Sequence, residues 1–174
     1  MSLMNEKVED SLTMYNTLRT WHIKHAINQW LATLKPTYFL SVQFPMNMRT
    51  SDFDQAQEHL RKIMKNFERQ LLGRHWHKKP LPFMATAEHG ESRNWHFHAL
   101  FYDCPFAPRQ LRVALNRTIV DMRLTPETFD LQHIKKKPAH VHSYCTKEIR
   151  ADINSHFDST QIIPHEVLFN LPSG

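Results

Sequence analysis

The chain has 174 residues, 41% hydrophobic and 22% charged. That suits one domain with a true core and excludes a disordered, collagenous or low-complexity protein. Three glycines in the whole sequence leave no GxxxxGKS/T or GxGxxG loop, which excludes a P-loop nucleotide hydrolase. Lys and Arg number 22 against 17 Asp and Glu, a net charge of +5 with His neutral; such a balance is compatible with a nucleic-acid partner. Cys104 and Cys145 make neither a disulfide framework nor a Cys-based zinc site. No apolar run is long enough to span a membrane, and Met1–Asp10 lacks the apolar core of a signal peptide. These features point to a reducing, intracellular compartment. Met1-Ser2-Leu3-Met4 reads as an added leader before a start at Met4.

Residues 1–14 are expected as a flexible terminus and 15–174 as a single domain with its core at about 38–153. Tyr15–Leu34 carries apolar residues at helical spacing (Leu18, Trp21, Ile23, Ile27, Trp30, Leu31, Leu34), and Pro36 ends that helix. Tyr38–Phe44 reads as a strand stopped by Pro45. Ser51-Asp52 offers an N-cap for a helix over Phe53–Leu72, stopped by Gly73. Arg74–Pro80 reads as a basic loop. Leu81–Glu88 and Trp95–Tyr102 read as strands of a hairpin turning through residues 89–94. Pro108–Met122 is predicted helical, Phe129–Ile134 a short strand, and Pro138 to about Ile153 a helix with Pro in its first turn. The last twenty residues read as irregular or a short hairpin.

The order is a helix, then β-α-β-β-α-β, then a helix. This is an α+β chain of ferredoxin-like (RRM-like) type: an antiparallel sheet with two helices on one face, plus an extra N-terminal helix. In each strand one parity is apolar and belongs under the helices. The other places Ser41, Gln43, Thr86, Glu88, His96 and His98 on an outward, open face.

Thirteen histidines produce three His-x-His triplets where chance gives about one. His96 and His98 lie in a strand, so both point to one face and can reach one metal ion. His140 and His142 diverge around a helix, and His75 and His77 sit in the basic loop. Glu88 can lie across the hairpin from His96. Two imidazoles and a carboxylate on one surface suit Mn²⁺ or Mg²⁺, and also Zn²⁺ or Fe²⁺; a pair of exposed strand histidines without metal is the other reading. Tyr144 and Lys147 share a helix face at i and i+3. The Lys can stabilise a phenolate nucleophile, or the two can be a half-buried Tyr and a snorkelling Lys. Tyr102 shares the parity of His96 and His98 and is a lesser nucleophile candidate. For phosphate contacts the candidates are Arg74, Lys78 and Lys79 in the loop and Lys135, Lys136 and Lys137 before the last helix. The run Arg61, Lys62, Lys65, Arg69 reads as a solvated helix face.

Phe39-Leu40-Ser41-Val42-Gln43-Phe44-Pro45, Glu88, His96-Phe97-His98 and Tyr144-Cys145-Thr146-Lys147 occur in the order of the motifs of the HUH endonucleases. The chain resembles the single-tyrosine replication initiator (Rep) nucleases of rolling-circle plasmids and single-stranded DNA viruses over about residues 38–150. Ser41 and Gln43 stand where Thr-type residues are common in that family. The resemblance implies Glu88, His96 and His98 as ligands of Mn²⁺ or Mg²⁺, and Tyr144 as the nucleophile assisted by Lys147. It also implies single-stranded DNA or a DNA hairpin at an origin as substrate, with a separate helicase and polymerase as partners. The expected location is the cytoplasm of a bacterial or archaeal host, or the nucleus for a virus of a eukaryote. Relaxases and tyrosine transposases of the same superfamily are the nearest alternatives, although relaxases usually carry a third His in place of Glu88. A non-catalytic nucleic-acid-binding module on an RRM-like sheet is the alternative of another class.

Overall fold

The computed structural model describes residues 2–78, 81–89, 94–134, 145 and 162–169. Its elements are helix α1 (Ser2–Thr33), strand β1 (Pro36–Gln43), α2 (Phe53–Leu72), β2 (Phe83–His89), β3 (Trp95–Tyr102), α3 (Pro108–Asp121), β4 (Phe129–His133), β5 (Ile162–Pro164) and a short α4 (His165–Phe169). Short 3₁₀ turns occupy Met46–Met48, Gly73–Lys78 and Pro126–Thr128. The strands form one sheet in the order β4-β1-β3-β2-β5, with every pair antiparallel. The first four follow the ferredoxin-like order, and β5 extends the sheet past β2.

Local chemistry explains the helix bounds. Asp52 accepts a hydrogen bond from the Gln55 N–H at 2.8 Å, capping α2. Gly73 ends it with φ of 68° and returns its N–H to the Arg69 carbonyl. Pro108 opens α3, where a missing N–H costs nothing, and Gln110 Oε1 accepts the Ala107 N–H at 2.9 Å. Ala56, Leu60, Ile63, Met64 and Phe67 of α2 bury one stripe, and Leu111, Ala114, Leu115 and Ile119 of α3 another. Both stripes share one cluster with Leu40, Val42, Phe44, Phe83, Ala85, Ala87, Phe97, Ala99 and Phe101 of the sheet. Each large side chain fully buried there contributes about 1.5–3 kcal/mol.

The opposite face departs from the expected open surface. Phe39, Met84 and Leu100 of the sheet form a second buried cluster with Leu31 of α1 and with Cys145, flanked by Ile27, Leu34, Tyr102, Ile134 and Ile162. The sheet is therefore apolar on both sides over part of its area. The cause is that Phe39, Met84 and Leu100 share parity with the polar set, and an apolar strip of that kind needs cover. Three further corrections concern segments. Residues 2–14, expected as a flexible terminus, are the beginning of α1; no Gly or Pro interrupts them. The basic loop after α2 is coiled into 3₁₀ form through Lys78. The C-terminal stretch supplies β5, which pairs with β2 at Ala85↔Ile163, and α4. The expected helix Pro138–Ile153 lies outside the described residues apart from Cys145, which is helical.

α4 is tied to α2 by a buried ion-pair geometry. Glu68 is fully buried. Its Oε1 accepts the Leu81 N–H at 3.0 Å and lies 3.1 Å from His165 Nε2. Glu68 follows Met64 by one helical turn and therefore falls on the buried stripe of α2.

Candidate active site

The hairpin register places the expected residues in two rows across the sheet. Thr86↔His98↔Ser41 form one row and Glu88↔His96↔Gln43 the next, on β2, β3 and β1 respectively. All six share a face, opposite the α2–α3 core. His98 is 5% exposed, Thr86 2%, and the Glu88 side chain 15%. His96 is half-buried.

His98 is the centre of the arrangement. Its Nε2 lies 2.8 Å from Glu88 Oε2, a diagonal contact between strands. Its Nδ1 lies 3.0 Å from Ser41 Oγ. The Phe39 ring, two residues before Ser41, stacks on the imidazole at 5.4 Å with planes 14° apart. Ring position and both ring nitrogens are thus fixed by β1 and β2. A carboxylate oxygen and an imidazole nitrogen this close need positive charge between them, either a proton or a cation. Two donor atoms about 3 Å apart, with the second ring nitrogen held by a neighbouring oxygen, suit a divalent-ion site.

Among the described residues, no three His, Cys, Asp or Glu side chains converge as a ligand group. The structure brings Glu88 and His98 together, and places His96 on their face in register with Glu88 without closing a three-ligand set. The donors present fit a divalent ion in type and in face.

Cys145 is 5% exposed and belongs to the cluster on this same face. Burial pushes its thiol up to about 12, while a hydrogen bond with the Thr86 side chain acts in the opposite sense. Thr86 is the register partner of His98, so Cys145 is seated one strand from the imidazole. Its chain neighbour Tyr144 and nearby Lys147 lie outside the described residues, as do Lys79, Lys135, Lys136 and Lys137. Tyr102 stands four residues from His98, roughly 13 Å along β3, packed against the second cluster. Arg74 and Lys78 are exposed on the 3₁₀ turn that precedes β2, at the end of that strand away from Glu88. On α2, Arg61 pairs with Glu58 through two hydrogen bonds of 2.5 and 2.7 Å, as a solvated helix face does, and the contact holds the Glu58 carboxyl below its ordinary range.

Ser41 and Phe39 are the participants whose roles sequence reasoning missed. Parity put Ser41 on the right face, but its pairing with His98 joins residues 57 apart and no local turn sets that register.

With this geometry in hand, the comparison with known families is decisive. The family model for the replication-associated protein of ORF2 type matches residues 32–154. The chain belongs to that family. The match begins at the end of α1, spans β1 through β4 and includes Cys145, so it covers the whole Glu88–His98 face. Membership makes this a replication-associated protein and supports a role in starting replication. No curated protein matches the sequence.

Proposed function

We propose that this replication-associated protein is an HUH-type nuclease that nicks and rejoins single-stranded DNA at an origin hairpin or sequence, initiating rolling-circle replication. The observation that carries the reading is the Glu88–His98 contact at 2.8 Å, braced by Ser41, on a face where Cys145 is also seated. A peptide bond keeps the Tyr144 Cα about 3.8 Å from that of Cys145, which favours Tyr144 as the group delivered to this face.

Glu88, His96 and His98 would hold a divalent ion, Mn²⁺ or Mg²⁺. When bound, such an ion withdraws charge from the scissile phosphate. Ser41 keeps the His98 ring oriented and Phe39 excludes water from one side of it. The Tyr144 hydroxyl oxygen attacks phosphorus in line. A Tyr O–P bond forms and the P–O3′ bond breaks; the phenolic proton leaves to solvent and the departing 3′ oxygen gains one. The products are a 5′-phosphotyrosine and a free 3′-hydroxyl that a separate polymerase can extend. Lys147 offsets negative charge beside Tyr144. Bond energy is kept in the ester, so a second 3′-hydroxyl can reverse the step without nucleotide hydrolysis.

The test is nicking of single-stranded origin DNA with Mn²⁺ added to chelated protein. Wild type should cleave only with the ion. Glu88→Gln and His98→Ala should lose at least about 100-fold of the rate while keeping a cooperative thermal transition. Cleavage that persists in both folded variants would overturn the assignment.

A further inference from the structure

Residues 11–51 contain no Asp or Glu, while the chain holds 17 in 174; its own average predicts about four in such a stretch. The same segment carries Arg19, Lys24, Lys35 and Arg49, with His22 and His25. Within it, α1 presents one exposed stripe at i, i+3 and i+4 spacing: Leu18, Trp21, His22, His25 and Gln29. Trp21 is 56% exposed. Its ring stacks on His25 at 5.1 Å with planes 5° apart, and the His22 edge meets it at 5.0 Å. His25 is itself held by Gln29 at 2.9 Å. An exposed indole is thus held in place by its neighbours, with Lys24 one turn along.

We propose that this stripe is a stacking platform for the bases of single-stranded DNA, with Lys24 taking the phosphate charge. The proposal rests on the nicking reading and adds a substrate-binding surface to it. Stacking on aromatic faces beside cationic groups is how single strands are held without sequence preference. A stretch without carboxylates suits a polyanion. A second protein copy fits less well, because Leu18 and Trp21 are the only large apolar side chains among His22, His25 and Gln29. The platform also leads to the site. Ten residues on, roughly 15 Å along the helix, Leu31 shares a cluster with Phe39, and Phe39 stacks on His98.

The test is anisotropy of a labelled single-stranded oligonucleotide of about 20 nucleotides on the full chain, with chelator present so that nothing is cut. Trp21→Ala should weaken binding by about 5- to 100-fold, and Trp21→Phe should restore most of it. Trp30→Ala is the control. Trp30 is 44% exposed but nine residues on, about 180° around the helix, and should bind as wild type does. Unchanged affinity in Trp21→Ala overturns the platform and leaves the nicking reading standing. Equal loss in Trp21→Ala and Trp30→Ala overturns the assignment to this stripe. A Trp21→Ala variant that loses a dimer in sedimentation but keeps its DNA affinity assigns the stripe to a second copy instead. A wild type that binds no single-stranded DNA overturns both readings.

Discussion

His98 has a neighbour for each ring nitrogen, and a neutral imidazole has only one N–H. With the proton on Nδ1, Ser41 Oγ accepts it and the Nε2 lone pair faces the Glu88 carboxylate, which only a shared cation satisfies. With the proton on Nε2, Glu88 accepts it and the Ser41 hydroxyl donates to Nδ1. Ser41 serves both states and so preserves the ring through loading and release of an ion. Ser41→Ala should therefore weaken the apparent Mn²⁺ affinity by about tenfold with a stability change under about 1 kcal/mol, and Ser41→Thr should restore it. Titration of the nicking rate against Mn²⁺ reads this directly. Cys145 yields a second residue-level expectation. With its thiol pushed up to about 12 and 5% exposed, it is almost wholly protonated at pH 8. Iodoacetamide should label it far more slowly in the folded protein than in urea, and rapid labelling of native Cys145 would contradict its burial against Thr86.

At the scale of elements, α2 is defined by its two ends. Asp52→Ala removes the cap on the Gln55 N–H and should cost about 1 kcal/mol. Gly73→Ala meets no atom within 4 Å of the added Cβ, so its cost is the strain of φ at 68°, again roughly 1 kcal/mol. Urea midpoints measure both, and neither should change the nicking rate. These ends were legible in the sequence because a cap and a helix-ending glycine act on their own neighbours. The Glu88–His96 register was legible for a similar reason: alternation fixes the face, and the short connection between the strands fixes the pairing. The reach of α1 onto the second face was not. Leu18, Trp21, Ile23, Ile27, Trp30 and Leu31 lie all around the helix, so periodicity names no single packing stripe. β5 escaped for another reason: three residues pair with β2 across a long separation, and Ile162-Ile163-Pro164 carries no alternation to read. Glu68 sat in plain view on the apolar stripe of α2, where a carboxylate signals a buried partner; its partner, His165, lies 97 residues away.

Taken whole, the molecule has a sheet clad on both sides. Its α2–α3 side is a conventional core. Its other side is divided between an apolar part under the end of α1 and a polar part at Glu88, His96 and His98. That division puts the chemistry at the border of a dry region, where charge interactions are stronger than in water. Burial of this kind also leaves a mark on the pH dependence of folding. The thiols of Cys145 and Cys104 and the Tyr38 hydroxyl are all raised by burial. Above about pH 9 the unfolded chain releases these protons before the folded one does, so stability is full below that point and falls as pH rises toward about 12. Urea midpoints between pH 8 and 11 should decline accordingly, with a shallower decline in Cys145→Ala.

The central claim is that a tyrosine beside Cys145 becomes joined to DNA. The most direct measurement mixes the protein with labelled single-stranded origin DNA and Mn²⁺ and resolves it on a denaturing gel, alongside chelator and Tyr144→Phe. The account predicts a shifted protein–DNA band that needs Mn²⁺ and vanishes in Tyr144→Phe. A band that persists in Tyr144→Phe, or DNA cut with no protein attached, would contradict it.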